Sequence, residues 1–126
     1  MNHREASFIS YYVGAWVKQY SKANSISVVY EAKETDTTLG DNDFEPQQLP
    51  SLRAAETPGG CYHKIADGSG LAAPFDGFCI RKAHAFVAVM FRNKGWAMIR
   101  INDWDARGKK RISFEDAQQM TNYWYK

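Results

Sequence analysis

With 126 residues the chain is long enough for one domain around a single hydrophobic core and too short for two. Its 44% hydrophobic and 24% charged residues are ordinary for a soluble globular protein, and a net charge of only +2 excludes a global field for nucleic acid. No apolar run approaches membrane-spanning length, and two cysteines without a signal peptide give the expectation of a reducing, cytoplasmic setting. Any basic surface must therefore be local. Aromatic residues reach 14% and are spread along the chain, as expected where few residues must fill a core.

From residue 7 to 20, Phe8, Ile9, Tyr12, Val13, Trp16, Val17 and Tyr20 fall at helical spacing and predict an amphipathic helix despite Gly14. Glu5 lies just before or in its first turn, where the helix dipole favours a carboxylate. A polar break over Ser21–Ser25 leads to a strand over Val28–Thr35. Thr35 to Asp43 reads as an acidic loop, and a helix is expected over Glu45–Glu56, with Pro46 near its first position. Thr57-Pro58-Gly59-Gly60 ends it.

Cys61 to Ile65 reads as a strand and Asp67–Gly70 as a turn, before Ala73–Ile80 with its Pro74-Phe75-Asp76-Gly77-Phe78 run. Ala85 to Phe91 is a nearly unbroken apolar run, suited to a central strand. A hairpin turn follows at Arg92–Gly95, with Gly95 expected at positive φ, and then a strand over Trp96–Ile101. Asp103 to Arg111 reads as a charged loop, and Ser113 with Asp116 is a capping-box pattern for a last helix. The order predicts one mixed α/β domain over residues 1–126.

The chemistry concentrates on the first strand. A period of two puts Val29, Glu31 and Lys33 on one side and Val28, Tyr30 and Ala32 on the other. Glu31 and Lys33 then stand about 7 Å apart along the backbone, close enough to share one substrate group. Glu31 is a hard oxygen ligand of the kind a divalent cation takes, and the Lys33 ammonium suits the charge that develops in phosphodiester hydrolysis. The plainer reading is a strand end whose Glu and Lys face solvent.

Asp76, between Phe75 and Gly77, is either a carboxylate with a partner or a turn residue. Cys61-x-His63 and Cys79-x4-His84 could in principle form a zinc site, but buried, inert cysteines are expected. Basic residues form three groups: Arg81, Lys82 and His84; Arg92 and Lys94; and Arg107, Lys109, Lys110 and Arg111. Gly108 makes the last a flexible loop able to follow a phosphate backbone, beside the plain reading of a solvated loop. Asp103-Trp104-Asp105 is a strand exit with Trp104 packed inward, without a catalytic role.

Together these pieces resemble the PD-(D/E)XK nuclease superfamily, and within it small Holliday-junction-resolvase-like proteins of phage and bacterial type. The resemblance rests on the aromatic first helix, Tyr30-Glu31-Ala32-Lys33-Glu34-Thr35, the helix bearing Gln47 and Gln48, Pro74-Phe75-Asp76, and the strand Phe86–Phe91. It implies a restriction-endonuclease-like fold, a mixed central sheet flanked by helices. The implied activity is metal-dependent DNA cleavage, acting on branched DNA such as Holliday junctions, with Mg²⁺ or alternatively Mn²⁺. Glu31 and Asp76 would hold the metal, with Glu5 as an outer ligand. Lys33 would orient or activate water, and Gln47 or Gln48 would position the phosphate or a metal-bound water.

In the superfamily's usual order the metal-binding Asp precedes the Glu-x-Lys strand. Here no Asp precedes Asp36, so Asp76 is the expected substitute and the motif order is rearranged. Arg81, Lys82, Lys109, Lys110 and Arg111 are the expected DNA contacts. A homodimer in the cytoplasm of a bacterial or phage-infected cell completes the expectation, because a domain this small covers little of a two-fold junction. The alternative is a catalytically degenerate protein of the same fold, a DNA- or protein-binding or inhibitory module.

Overall fold

The computed structural model describes residues 8–64 and 77–126. Its centre is a mixed sheet in the order β1-β5-β6-β8. Strand β1 (Val28–Thr35) runs parallel to β5 (His84–Phe91), in register from Val28 opposite His84 to Thr35 opposite Phe91. Strand β6 (Gly95–Arg100) returns antiparallel to β5, and the short β8 (Trp124–Tyr125) pairs antiparallel with β6. The apolar run seen in the sequence is the central strand: Ala85 to Val89 are fully buried. A strand buried on both faces needs such a run, and the alternation beside it sorts the neighbours.

Period two divides the sheet into two cores. Val29, Val87, Val89, Ala97 and Ile99 face one way. Val28, Tyr30, Ala32, Phe86, Ala88, Trp96 and Met98 face the other. The second face is covered by helix α1 (Gly14–Asn24), entered through a π-helical turn at Ile9–Val13. Phe8, Val13, Trp16, Val17 and Tyr20 pack there, with Trp16 and Tyr20 stacked at 4.9 Å. The helix outlasts the expected polar break and stops at Ser25, whose left-handed φ of 49° ends it.

The first face is covered by α2 (Gln48–Glu56), α3 (Ile101–Asp105) and α4 (Phe114–Met120). Helix α2 starts three residues later than its sequence pattern suggested and buries Leu49, Leu52 and Ala55. Pro50 is tolerated because it lies in the first turn, where its missing N–H would have had no intrahelical partner. The capping box at α4 forms as expected: Asp116 N–H donates to Ser113 Oγ at 3.2 Å and Ser113 N–H to Asp116 Oδ2 at 2.9 Å.

Helix α3 corrects the charged loop expected from Asp103 onward. Ile101 and Trp104, three apart and both fully buried, turn one helical face into the core. Trp104 Nε1–H donates to Asp41 Oδ1 at 2.9 Å, and the Arg107 guanidinium lies 4.2 Å from the indole ring. The β5–β6 turn forms as expected, with Gly95 at positive φ. Asn93 takes the left-handed conformation at φ 65°, while Gly95 sits at φ 159°. A Cβ at Gly95 would come within 2.2 Å of the Tyr125 carbonyl oxygen, so glycine is needed there for close approach.

Two short ladders complete the described residues: β2 (Leu39–Gly40) with β7 (Arg111–Ile112), and the antiparallel pair β3 (Cys61–Lys64) and β4 (Gly77–Ile80). The α/β class and the helix-flanked mixed sheet expected from the sequence are present. Among the described residues no helix is long and apolar enough to cross a membrane.

Candidate functional site

Strand β1 is an edge of the sheet, and its first-core face carries Val29, Glu31 and Lys33 in line. Helix α2 packs across this face and brings Gln48 to the carboxylate. Gln48 Nε2 donates to Glu31 Oε2 at 3.0 Å. Its Oε1 accepts the Glu45 N–H at 2.9 Å, which fixes the amide so that the donor end meets Glu31. Gln47, one residue earlier, is exposed at the helix N-cap. Of the two expected glutamines, Gln48 is therefore the one joined to Glu31.

Lys33 is half-buried, with its ammonium 5.2 Å from the Phe44 ring centroid. Among the described residues it has no carboxylate within ion-pair distance. The surrounding acids are otherwise engaged. Glu34, on the opposite face, accepts from Arg92 Nε and Nη2 at 3.1 and 2.8 Å, and Arg92 also pairs with Asp36. Asp41 takes Arg107 at 2.8 Å and Asp43 takes Arg111 at 2.9 Å. The acidic stretch of the sequence is thus largely a set of structural ion pairs, while Glu31, bonded to Gln48, and Lys33 lie on the shared face.

Beside Glu31 lies a cavity of about 210 Å³ between the β1 edge, α2 and the β3–β4 pair. The hairpin register sets Cys61 opposite Ile80 and His63 opposite Phe78, so these four share one face and line the cavity. Tyr62 and Cys79 take the other face. This corrects the expectation of buried cysteines: Cys61 is half-buried, Cys79 is exposed, and the two thiols point to opposite sides. A short two-stranded ribbon cannot bury both faces, which the residue pattern alone did not show.

Among the described residues, no three His, Cys, Asp or Glu side chains cluster closely enough to hold a metal ion. Glu31 would offer one hard oxygen ligand, while the Gln48 carbonyl is turned away to Glu45. The other two expected ligands, Asp76 and Glu5, lie outside the described residues.

The basic groups separate by partner. Arg81 and Lys82 are exposed just after β4, next to cavity-lining Ile80, and the Lys82 N–H donates to the Thr57 carbonyl at 3.0 Å. His84 is no surface cation. It is half-buried, bonded to Tyr20 Oη through Nδ1 at 2.6 Å, and burial followed by the Arg100 charge pushes its pKa down. The 107–111 segment is not the flexible loop expected. Lys109 pairs with Asp116 at 2.9 Å, and Arg111 pairs with Asp43 while donating to Thr38 Oγ1 at 3.0 Å. Lys110 remains exposed.

No family model, curated protein or solved structure matches the chain. The site must be read from its own geometry. Sequence reasoning missed Ser51 and assigned His63 only to a zinc pattern, although both line the cavity. The signal for Ser51 was its position one turn beyond Gln48 on the same helix.

Proposed function

We propose that the protein is a metal-dependent DNA endonuclease of restriction-endonuclease-like type, acting on branched DNA. The observation that carries this reading is the Glu31–Lys33 pair on one face of an edge strand, with the Glu31 carboxylate anchored by Gln48 of the next helix. A fixed carboxylate and an ammonium beside it are what hydrolysis of a phosphodiester requires: one oxygen donor for a cation and one positive charge for the developing phosphorane. Bound Mg²⁺ or Mn²⁺ would act as the Lewis acid and would supply the activated water. Glu31 would be one ligand; the described donors do not complete the set, and Asp76 or Glu5 would have to supply a second acid.

The chain's own residues then divide the work. Gln48 holds the Glu31 carboxylate in one orientation, and Lys33 stabilises charge on the phosphate. Arg81, Lys82 and Lys110 contact the flanking backbone, whereas Lys109 and Arg111 brace the fold through Asp116 and Asp43. Neutralising Arg81 and Lys82 together is expected to weaken binding to every DNA sequence alike. It should also flatten the plot of log affinity against log salt by about 1.8, two contacts at about 0.9 each on duplex DNA. Salt titrations check this; an unchanged slope removes the two residues from the interface. A homodimer matched to the two-fold symmetry of a junction remains part of the proposal.

The second reading is a degenerate protein of the same fold that binds without cutting. It is favoured by the single acidic ligand among the described residues at this site. Incubating the protein with a four-way junction and Mg²⁺ separates the two. Cleavage by wild type and none by Glu31→Ala supports the enzyme; binding without cleavage by either supports the degenerate module.

A further inference from the structure

Among the described residues β1 is a sheet edge, and it forms one wall of the cavity beside Glu31. On β1 the odd-numbered residues bond to β5: the Ser27 carbonyl accepts from His84 N–H, and the Thr35 carbonyl from Arg92 N–H, each at 2.9 Å. The alternation along a parallel ladder therefore turns the Tyr30 N–H and C=O away from β5. The Tyr30 side chain packs in the opposite core, so Tyr30 lines the cavity through this backbone pair. Among the described residues neither group has a backbone partner. Ser51 lines the cavity from the α2 side, with Leu52, Ile80 and Phe78 as its apolar and aromatic lining.

We propose that this cavity is a nucleobase pocket, which takes one base extruded from the branch point of the DNA next to the phosphate held at Glu31 and Lys33. The inference rests on the nuclease reading and adds to it the feature of the substrate that is selected. Size decides the class of ligand. An apolar cavity of about 150 Å³ holds one benzene, so about 210 Å³ is room for a single heterocycle. The lining has the two elements that read an extruded base, an aromatic face for stacking and fixed donors and acceptors for its Watson–Crick edge. In a duplex that edge is already spent on the partner base. At a branch point the base is still paired but loses part of its stacking, so unpairing and extruding it there costs less. Glu31 lines the same cavity, so a base seated in it leaves its own phosphate beside the carboxylate. Preference for branched DNA then follows from the pocket and not from base sequence.

The test uses four-way junctions carrying 2-aminopurine at successive positions around the cleavage point, titrated with the protein in EDTA. A several-fold rise in fluorescence is expected at one position adjacent to the cut, where the base leaves the stack. Ser51→Trp fills the cavity mouth from an exposed helix position, and Phe78→Ala removes the ring from a residue that is 47% exposed. Both variants should abolish the rise, with unchanged melting temperatures showing that they remain folded. An abasic nucleotide at the responding position should weaken binding roughly five- to hundredfold, the range for loss of one stacked base. Binding with no position-specific rise, or a rise that survives both variants, overturns the pocket and leaves the nuclease reading standing. No binding to any junction overturns both.

Discussion

Replacing Glu56 by alanine is expected to lower the unfolding free energy by about 2 kcal/mol, less than for a fully buried ion pair and in the range for leaving a partly buried donor unpaired. Arg100 Nε and Nη2 donate to the two Glu56 oxygens at 2.9 and 2.8 Å, and the Ala85 N–H adds a third bond at 2.8 Å. The side chains are 14% and 27% exposed, so the substitution strands a half-buried guanidinium and an amide. The pair also joins the end of α2 to β5 and β6, and its loss frees one layer from the other. For a domain of this size the melting temperature should fall by several degrees.

The same pair gives the stability a pH dependence with a defined sign. Burial alone would raise the Glu56 pKa, but the Arg100 hydrogen bond, the Ala85 N–H and the Arg100 charge outweigh it and hold it below the usual carboxylate value. A folded-state pKa below the unfolded value of about 4.3 contributes stability above that value, and the contribution is lost as pH falls through the folded pKa. The stability gap between wild type and Glu56→Gln should therefore be full at pH 7 and close progressively below about pH 4. Urea denaturation at both pH values checks this. A gap that ignores pH would mean that the charge of Glu56 contributes nothing.

Lys33→Ala should reduce junction cleavage by a factor on the order of 10² or more, the usual cost of losing one positioned charge-stabilising group. Binding should survive, because the contacts proposed for flanking phosphates are Arg81, Lys82 and Lys110. Stability should hardly move: Lys33 pairs with no described carboxylate, and its contact with the Phe44 ring is worth about 0.5–1 kcal/mol. Single-turnover cleavage, electrophoretic mobility shift and thermal melting on one preparation separate these effects. Loss of binding in step with cleavage would make Lys33 a DNA anchor.

The parts of the fold that could be read from the sequence were those where one periodicity dominates. The expected limits Val28–Thr35 for β1 match the structure, and the apolar run to Phe91 is β5, because apolar alternation and continuity admit few alternatives. Helix α3 was hidden because Asn102, Asp103 and Asp105 surround its two buried residues, and five residues give little period to see. The choice between Gln47 and Gln48 depends on the phase of α2 against β1, which no local pattern fixes. Charge shows in sequence, but partners do not. Arg111 looked available until the fold brought Asp43 to it from far upstream.

The central claim is that Glu31 is the carboxylate of a DNA-cutting site. Its most direct test is single-turnover cleavage of a four-way junction in Mg²⁺ by wild type and by Glu31→Gln, which keeps the shape and hydrogen bonding of the side chain and removes its charge. We expect wild type to cut at symmetric positions near the branch point and Glu31→Gln to bind the junction while its cleavage falls below detection. Equal cleavage by the two proteins would contradict the claim.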